Sequence, residues 1–389
     1  MLTEHFHNTQ KDTGHYSNDL RYVLSLQNTI AAFEEIKTWE GYAKTPLHSL
    51  DSLASDIGVK NIYYKDESSR FGLGSFKALG GTYGVLKFIH HALKKEIGDE
   101  VSMKDIHAGK YSEQISKYTV TTATDGNHGR SVAFGAKLFG CQCQIYIHSE
   151  VSSGRQKAME DLEATVNRVS GNYDESLQIC IEDAGKNNWY VISDTSYEGY
   201  TKYPRYIMAG YNVMAKEIID QIKDRPLPTH IFLQGGVGSF PGAICGYFWE
   251  RFPGNNIKFV VVESEHAPCL IRSAQNNQMT SVNIKQETMM AGLSCGEPSL
   301  LGWKILKSGT DDFITINDSS IPGLMRLLAE TNLKIEAGES SVAGLAGLIE
   351  SMEDQKIAEA MELNKESIVL LFGTEGATDP DIYRSIISE

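Results

Sequence analysis

Short apolar runs recur along the chain, each closed by glycine, proline or a polar cluster, and longer stretches with helical spacing lie between them. NIYYK (61–65), YTVTTA (118–123), CQIYIH (143–148), WYVIS (189–193), HIFLQ (230–234), KFVVVES (258–264) and SIVLLFG (367–373) predict strands. Most lack strict alternation, the pattern of strands buried on both faces. Helical spacing covers 127–139, 153–164, 203–222 and 237–251. Strands alternating with helices predict parallel sheets in an α/β fold. No repeat of fixed period is present. The prolines and charges of KDRPLPTH (223–230) read as a linker, and the polar, poorly patterned stretch from about 275 to 315 reads as an insertion.

Composition narrows the possible functions. With 389 residues, 41% hydrophobic and 22% charged, the chain can bury a substantial core in one large or two medium domains. A formal charge of −14 argues against nucleic acid or an anionic membrane as the main partner. No apolar run approaches the ~20 residues that span a bilayer. The opening MLTEHFHNTQKDTGHY has no apolar core, so it is not a secretory signal, and cytoplasmic residence is the expectation. Six cysteines are too few for a disulfide scaffold. Cys141 and Cys143 alternate with Gln142 and Gln144, which places both thiols on one buried strand face. With no Cys-x-x-Cys and no His-x-x-x-His, no metal site is expected. Cys269 and Cys295 bracket the poorly patterned stretch. A bond between them would stabilise by about 3.5 kcal/mol, while a reducing cytoplasm would oppose it.

Four motifs carry candidate chemistry. In GLGSFKALGG (72–81) glycines crowd Lys77 on both sides, as if clearing room beside its amine. In TATDGNHGRSVAFGAKLFG the loop Thr124–Asn127 precedes a helix whose first backbone N–H groups could hold an anion. In FLQGGVGSFPGAICGYF a strand runs into Gly235, Gly236, Val237, Gly238 and Ser239 and then a helix, a loop suited to phosphate. LLFGTEGATDP is a strand ending at Thr374 and Glu375. A Gly-Gly-x-Gly loop is often only a tight turn, and Asn-His at a helix start can be only a cap. Neither the Gly-x-x-x-x-Gly-Lys-Ser/Thr loop nor an early Gly-x-Gly-x-x-Gly is present. The last three motifs follow strands, at the sheet end where ligands of parallel sheets bind. Pyridoxal phosphate would use all the parts together: a lysine amine, a phosphate cradle, a partner for its ring nitrogen, and room for a planar ring.

On these residues the chain resembles the fold-type II pyridoxal-phosphate enzymes, the tryptophan synthase β family, from about residue 45 to residue 381. Within that group GLGSFKALGG, TTATDGNHGRSVA, SDTSYEGYTKYPRYIMAGY, MAGLSCGEPSLLGW and GTEGATDP are similar to the diaminopropionate ammonia-lyase family. The resemblance implies two domains, each with a central, mostly parallel twisted sheet flanked by helices. A large cofactor-binding domain would comprise 1–88 plus 200–389, and a small one, 89–199, would be inserted in it. It implies a homodimer acting on a small amino acid, and amino-acid degradation as the setting. It also implies that Lys77 carries pyridoxal 5'-phosphate as a Schiff base, with Phe76 beside it. Gly235, Gly236, Val237, Gly238 and Ser239 would hold the phosphate, with Glu263 in the same cofactor set. Asn127 would meet the ring hydroxyl and Thr374 the ring nitrogen. A neutral hydroxyl at Thr374 leaves the ring a weaker electron sink than a carboxylate would, which favours β-elimination over transamination.

The same resemblance places Thr124, Asp125, Gly126, His128 and Asp194 around the substrate, with Lys77, Asp125 and Asp194 as catalytic groups. Serine/threonine dehydratases carry a small uncharged residue where this chain has Asp125. An acid there would repel a substrate carboxylate, and it suits a substrate with a second ammonium group, such as 2,3-diaminopropionate. Asp194 offers a second acid, or else a polar cap for the helix that follows. The implied reaction is elimination of 2,3-diaminopropionate, D or L or both, to pyruvate and two ammonia. The alternative is a serine/threonine dehydratase-type lyase of the same fold, against which Asp125 and MAGLSCGEPSLLGW count. A non-catalytic ligand-binding protein is disfavoured by the intact Lys77.

Overall fold

The computed structural model describes residues 2–388 other than Thr13, Asp125 and Asn172, and omits the side chain of Asp174. Its described strands are β1 (Leu2–His7), β2 (Leu47–Ser49), β3 (Asn61–Asp66), β4 (Thr119–Ala123), β5 (Gln142–Ile147), β6 (Thr165–Arg168), β7 (Tyr190–Val191), β8 (His230–Gln234), β9 (Lys258–Ser264), β10 (Asp312–Ile316) and β11 (Ile368–Gly373). The chain forms two compact units. The first comprises Met1–Phe76, Thr195–Gly199 and Tyr211–Glu389, and the second Lys77–Asp194 and Tyr200–Gly210.

The first unit holds a seven-stranded sheet in the order β1-β10-β9-β8-β11-β3-β2. The pairs from β10 through β3 are parallel, whereas β1 and β2 close the two edges antiparallel. The Val-rich β9 and the apolar β11 lie inside the sheet and are buried along almost their whole length. Continuous apolar runs of this kind mark strands covered on both faces. The core gathers Phe232, Val260, Val262, Ile314, Val369 and Leu371 from the sheet with Leu345 and Leu348 from the helix Ala343–Glu353.

The second unit holds a four-stranded parallel sheet in the order β6-β5-β4-β7. The helix Lys77–Ile97 packs on the helix Asn127–Phe139 at glycines. A Cβ at Gly81 would fall 1.8 Å from Ser131 Oγ, and one at Gly135 would fall 3.0 Å from Thr82 Cα. A Cβ at Gly210 would likewise fall 2.8 Å from Gly80 Cα. The glycines that follow Lys77 therefore serve close helix packing, and the sequence reading that they clear space for a ring is corrected. The helix start at Lys77 follows from the two positive-φ glycines before it, Gly72 (69°) and Gly74 (71°), which turn the chain.

Other departures have physical reasons. β1 reads as polar in sequence because it is an edge strand whose polar side chains bond its neighbours. His5 Nε2 and His7 Nδ1 lie 2.8 and 2.9 Å from one carboxylate oxygen of the buried Asp312, and Arg272 reaches Glu4 at 2.6 Å. The stretch 275–315 is not simply an insertion. Residues 276–290 lack helix and strand, but the helix Leu300–Gly309 and then β10 follow, and β10 pairs with both β1 and β9. The predicted strand at 189–193 shortens to Tyr190–Val191, and the helix expected to reach 164 ends at Glu160. Residues 223–230 join the helix Lys202–Gln221 to β8. Cys141 precedes β5 and is half-buried, so only Cys143 is buried in the strand, and Cys269 and Cys295 are free thiols.

Candidate active site

The first unit presents the phosphate-type loop. β8 ends at Gln234, and Gly235–Gly238 lead directly into the helix Ser239–Arg251. Gly236 and Gly238 have φ of 58° and 93°, a region that favours glycine. Crowding excludes side chains as well. A Cβ at Gly235 would lie 2.5 Å from Glu263 Cγ, one at Gly236 3.2 Å from Gly292 O, and one at Gly238 3.1 Å from Leu270 Cδ2. Gly238 is the helix N-cap and no side chain caps the helix there. A 13-residue helix that opens on glycine with no side-chain cap offers its first-turn amides to an anion. The loop fits a phosphate group.

Phe76 and Thr374 meet beside that loop. The strand β11 runs into Thr374, whose carbonyl accepts the N–H of Phe76 at 3.1 Å, while Ser75 bridges Glu375 and Gly376 donates to Gly74 O at 2.9 Å. The Phe76 ring packs 4.8 Å from those of both Phe240 and Tyr211. Thr374 is buried. Residues 74–76, which deliver the chain to Lys77, are thus fixed by pairing with 374–376.

Two features of this unit escape a sequence reading. Gln234 Nε2 donates to the carbonyls of Phe372 and Ser341, and Ser341 exchanges hydrogen bonds with the backbone of Glu375, tying β8, β11 and residues 340–341 together. The second is a buried ionic cluster. Glu217 lies 2.7 Å from Lys65 and 2.8 Å from Arg70, and Arg70 lies 2.8 Å from Glu67, all four side chains at most 1% exposed. Burial alone would raise the Glu217 carboxyl, but Arg70 and Lys65 beside it bring it below the usual range. The charge density of KDESSR just after an apolar strand was the available signal, and its partner Glu217 lies too far along the chain to be read from spacing.

The second unit presents the amine. Lys77 Nζ donates to Asp194 Oδ2, with the lysine side chain 21% exposed and the aspartate 13%. His128 Nδ1 lies 3.9 Å from the same carboxylate oxygen. His128 Nε2 is 2.8 Å from Ile192 O, a carbonyl, so Nε2 carries the proton in that bond. Burial lowers the imidazole below its ordinary range, although Asp194 pulls the other way. Asp194 is therefore no cap for the next helix, which begins only at Lys202.

The loop before the helix Asn127–Phe139 is partly self-satisfied. Thr124 Oγ1 accepts the N–H groups of Gly126 (3.0 Å) and Gly129 (3.1 Å), so these two amides are already engaged, contrary to the expectation of a fully open anion site. Gly126 has φ of 153° and stands against Arg155, whose Cδ would be 3.2 Å from a Cβ there. Asn127 opens the helix. Asp125 lies outside the described residues. Of the expected site residues, this unit brings together Lys77, His128 and Asp194, with Thr124, Gly126 and Asn127 on the loop preceding His128. The first unit gathers Phe76, Gly235, Gly236, Val237, Gly238, Ser239, Glu263 and Thr374.

Comparison with known proteins identifies the family. A family model described as pyridoxal-phosphate dependent enzyme matches residues 38–373. The diaminopropionate ammonia-lyase of Escherichia coli (strain K12) is 37% identical over 357 residues, covering 90% of this chain and 88% of that protein. The diaminopropionate ammonia-lyase of Salmonella typhimurium is 37% identical over 379 residues, 94% of each chain. The crystal structure of the Escherichia coli enzyme in complex with an aminoacrylate-PLP azomethine reaction intermediate superposes with a TM-score of 0.88 at 34% identity, covering 100% of this chain and 97% of that one. The chain belongs to the pyridoxal-phosphate dependent enzyme family and, within it, to the diaminopropionate ammonia-lyase family.

Proposed function

We propose that this chain is a pyridoxal-phosphate dependent carbon–nitrogen lyase that converts 2,3-diaminopropionate and water to pyruvate and two ammonia. When bound, pyridoxal phosphate supplies the electron sink that makes the Cα–H of an amino acid acidic enough to lose a proton. Gly235–Ser239 would hold its phosphate, Thr374 would meet its ring nitrogen and Asn127 its ring hydroxyl, and Lys77 would be its attachment point.

The chain's own groups move the protons. Lys77 Nζ, as a free amine, would take the α-proton. The β-amine leaves only if protonated, and Asp194 holds that nitrogen as an ammonium. Asp125, Thr124, Gly126 and His128 complete the substrate-binding set. After release the product enamine hydrolyses in water, giving pyruvate and the second ammonia. The observation that carries the reading is the Asp194 carboxylate set against the Lys77 amine, because the same acid can receive the β-ammonium of a diamino acid once that lysine is engaged elsewhere.

The direct test is pyruvate formation from pure D- and L-2,3-diaminopropionate and from D- and L-serine by the purified holoprotein. Ammonia and pyruvate in a two-to-one ratio from either diaminopropionate enantiomer, in excess of turnover with serine, supports the reading. Serine turnover equal to or faster than both would favour a dehydratase. We further propose that the enzyme works as a homodimer in the cytoplasm. No helix among the described residues is long and apolar enough to cross a membrane, and the six cysteines are free thiols, which suits a reducing compartment. Sedimentation and cell fractionation test both points.

A further inference from the structure

The strand β9 reaches the phosphate-type loop with an acid. Glu263, its penultimate residue, is 1% exposed, and β8 and β10 flank it on either side. Its side chain lies flat against Gly235: a Cβ at that glycine would fall 2.5 Å from Glu263 Cγ and 3.5 Å from Cδ. One carboxyl oxygen accepts the N–H of Leu270 at 2.8 Å and the other that of Ile271 at 2.7 Å. No cation forms an ion pair with it among the described residues. The nearest, Arg272, is engaged by Glu4 at 2.6 Å. The other titratable group facing the carboxyl is the thiol of Cys269, which also lies 3.6 Å from Gly236 O, with Cys295 beyond it. Burial pushes that thiol up, so it brings no charge.

A carboxylate buried without a counter-charge is expensive, and the group keeps its proton instead. Burial pushes Glu263 up to about 8 against the pull of the two backbone N–H groups, the Cys269 thiol and the more distant Arg272. A phosphate on the loop would bring about two negative charges close to Gly235. Like charges brought close together repel, most strongly where water is excluded.

We propose that Glu263 sets the charge of the phosphate cradle: with its proton it lets Gly235–Ser239 hold a phosphate dianion, and without it that hold weakens. The inference rests on the pyridoxal-phosphate reading above, and it makes Glu263 a positioning residue acting through the glycine loop. Release of the proton would then couple cofactor retention to mildly alkaline pH.

The test uses apoprotein and pyridoxine 5'-phosphate, which lacks the aldehyde and so cannot join Lys77. Its affinity is measured from about pH 7 to about pH 9 in the wild type, Glu263→Gln and Glu263→Met. Relative to the variants, whose profile carries only the ligand's own ionisations, the wild type should lose about tenfold in affinity across that range. Matching wild-type and variant profiles overturn the proposal while leaving the cofactor reading intact. No binding at any pH overturns both. If neither variant folds, infrared difference spectra of the wild type decide. Ligand binding at about pH 8.5 should increase the C=O band of a protonated carboxylic acid, and no change in that band overturns the proposal.

Discussion

The amine of Lys77 donates a hydrogen bond to the carboxylate of Asp194, 117 residues further along the chain. Lys77 opens a helix and Asp194 follows β7, so one unit of the fold supplies both the amine and the acid beside it. A carboxylate here keeps the amine oriented and can later receive another ammonium. Nothing in the spacing of the two residues announces the pair.

Lys77 should be the attachment point of the cofactor. Borohydride treatment of the holoprotein should leave a reduced adduct on the peptide containing Lys77. Lys77→Ala should lose about 10²- to 10⁴-fold in elimination rate, the usual worth of a positioned general base, or more. An adduct mapped by mass spectrometry to another lysine would overturn the assignment.

The parallel core was legible because β8, β9 and β11 are continuous apolar runs, and the glycine loop was legible because it follows one of them. What stayed hidden depends on partners far apart in sequence. β1 is polar, and it becomes legible as a strand only through its pairing with β10 and the contacts of its side chains with Asp312 and Arg272. β10 lies in a stretch that looks featureless until its neighbours are known. The glycines after Lys77 were visible, but their purpose was not, since Ser131, which demands Gly81, and Gly210, which packs on Gly80, lie on other helices. The buried Glu217 cluster was hidden for the same reason.

Gly81→Ala tests that packing. Its methyl group would sit 1.8 Å from Ser131 Oγ and 2.9 Å from Ser131 Cβ, so the two helices must separate. Overpacking of this kind should cost about 1–3 kcal/mol in urea unfolding. Adding Ser131→Gly should recover part of the loss.

Glu217→Gln should be among the most damaging single changes outside the site. It leaves Lys65 and Arg70 as buried cations short of their shared carboxylate, at a cost of about 3–5 kcal/mol. The native cluster also carries a pH signature. Because the Glu217 carboxyl is held below its ordinary value of 4.5 in the folded state, its contribution is present above that value and is lost as pH falls through the folded one. Acid unfolding of the wild type should therefore be steeper than that of Glu217→Gln in this range.

Glu263 should act in the opposite sense. Its carboxyl ionises near the ordinary 4.5 in the unfolded chain and near 8 in the folded one. Between those values the unfolded state binds fewer protons, so stability falls as pH rises and levels off above about 8. Unfolding of the apoprotein at pH values across this window should show the fall. In Glu263→Gln it should be reduced by an amount on the order of a few kcal/mol. A variant that keeps the full wild-type slope would show that the proton resides elsewhere.

The two acids and the lysine should divide the stereochemistry. A substrate held flat on the cofactor offers its α-proton to one face or the other according to its hand. Lys77 would reach the face from which it is attached, and so would be the natural base for L-2,3-diaminopropionate. A D-substrate held through the same carboxylate and β-amine contacts turns its proton to the opposite face, where a second base is required. Asp125 is the candidate, because the substrate loop carries an acid there where dehydratases have none. Asp194 would have a role common to both hands, holding the β-ammonium, and its position against Lys77 suits it to that task. Asp125→Asn should therefore lower kcat on the D-enantiomer by about 10²-fold or more while sparing the L-enantiomer to within a fewfold. Asp194→Asn should impair both. Steady-state pyruvate assays on each pure enantiomer measure this directly, and equal losses on the two hands in Asp125→Asn would sink the division of labour while leaving the lyase assignment standing.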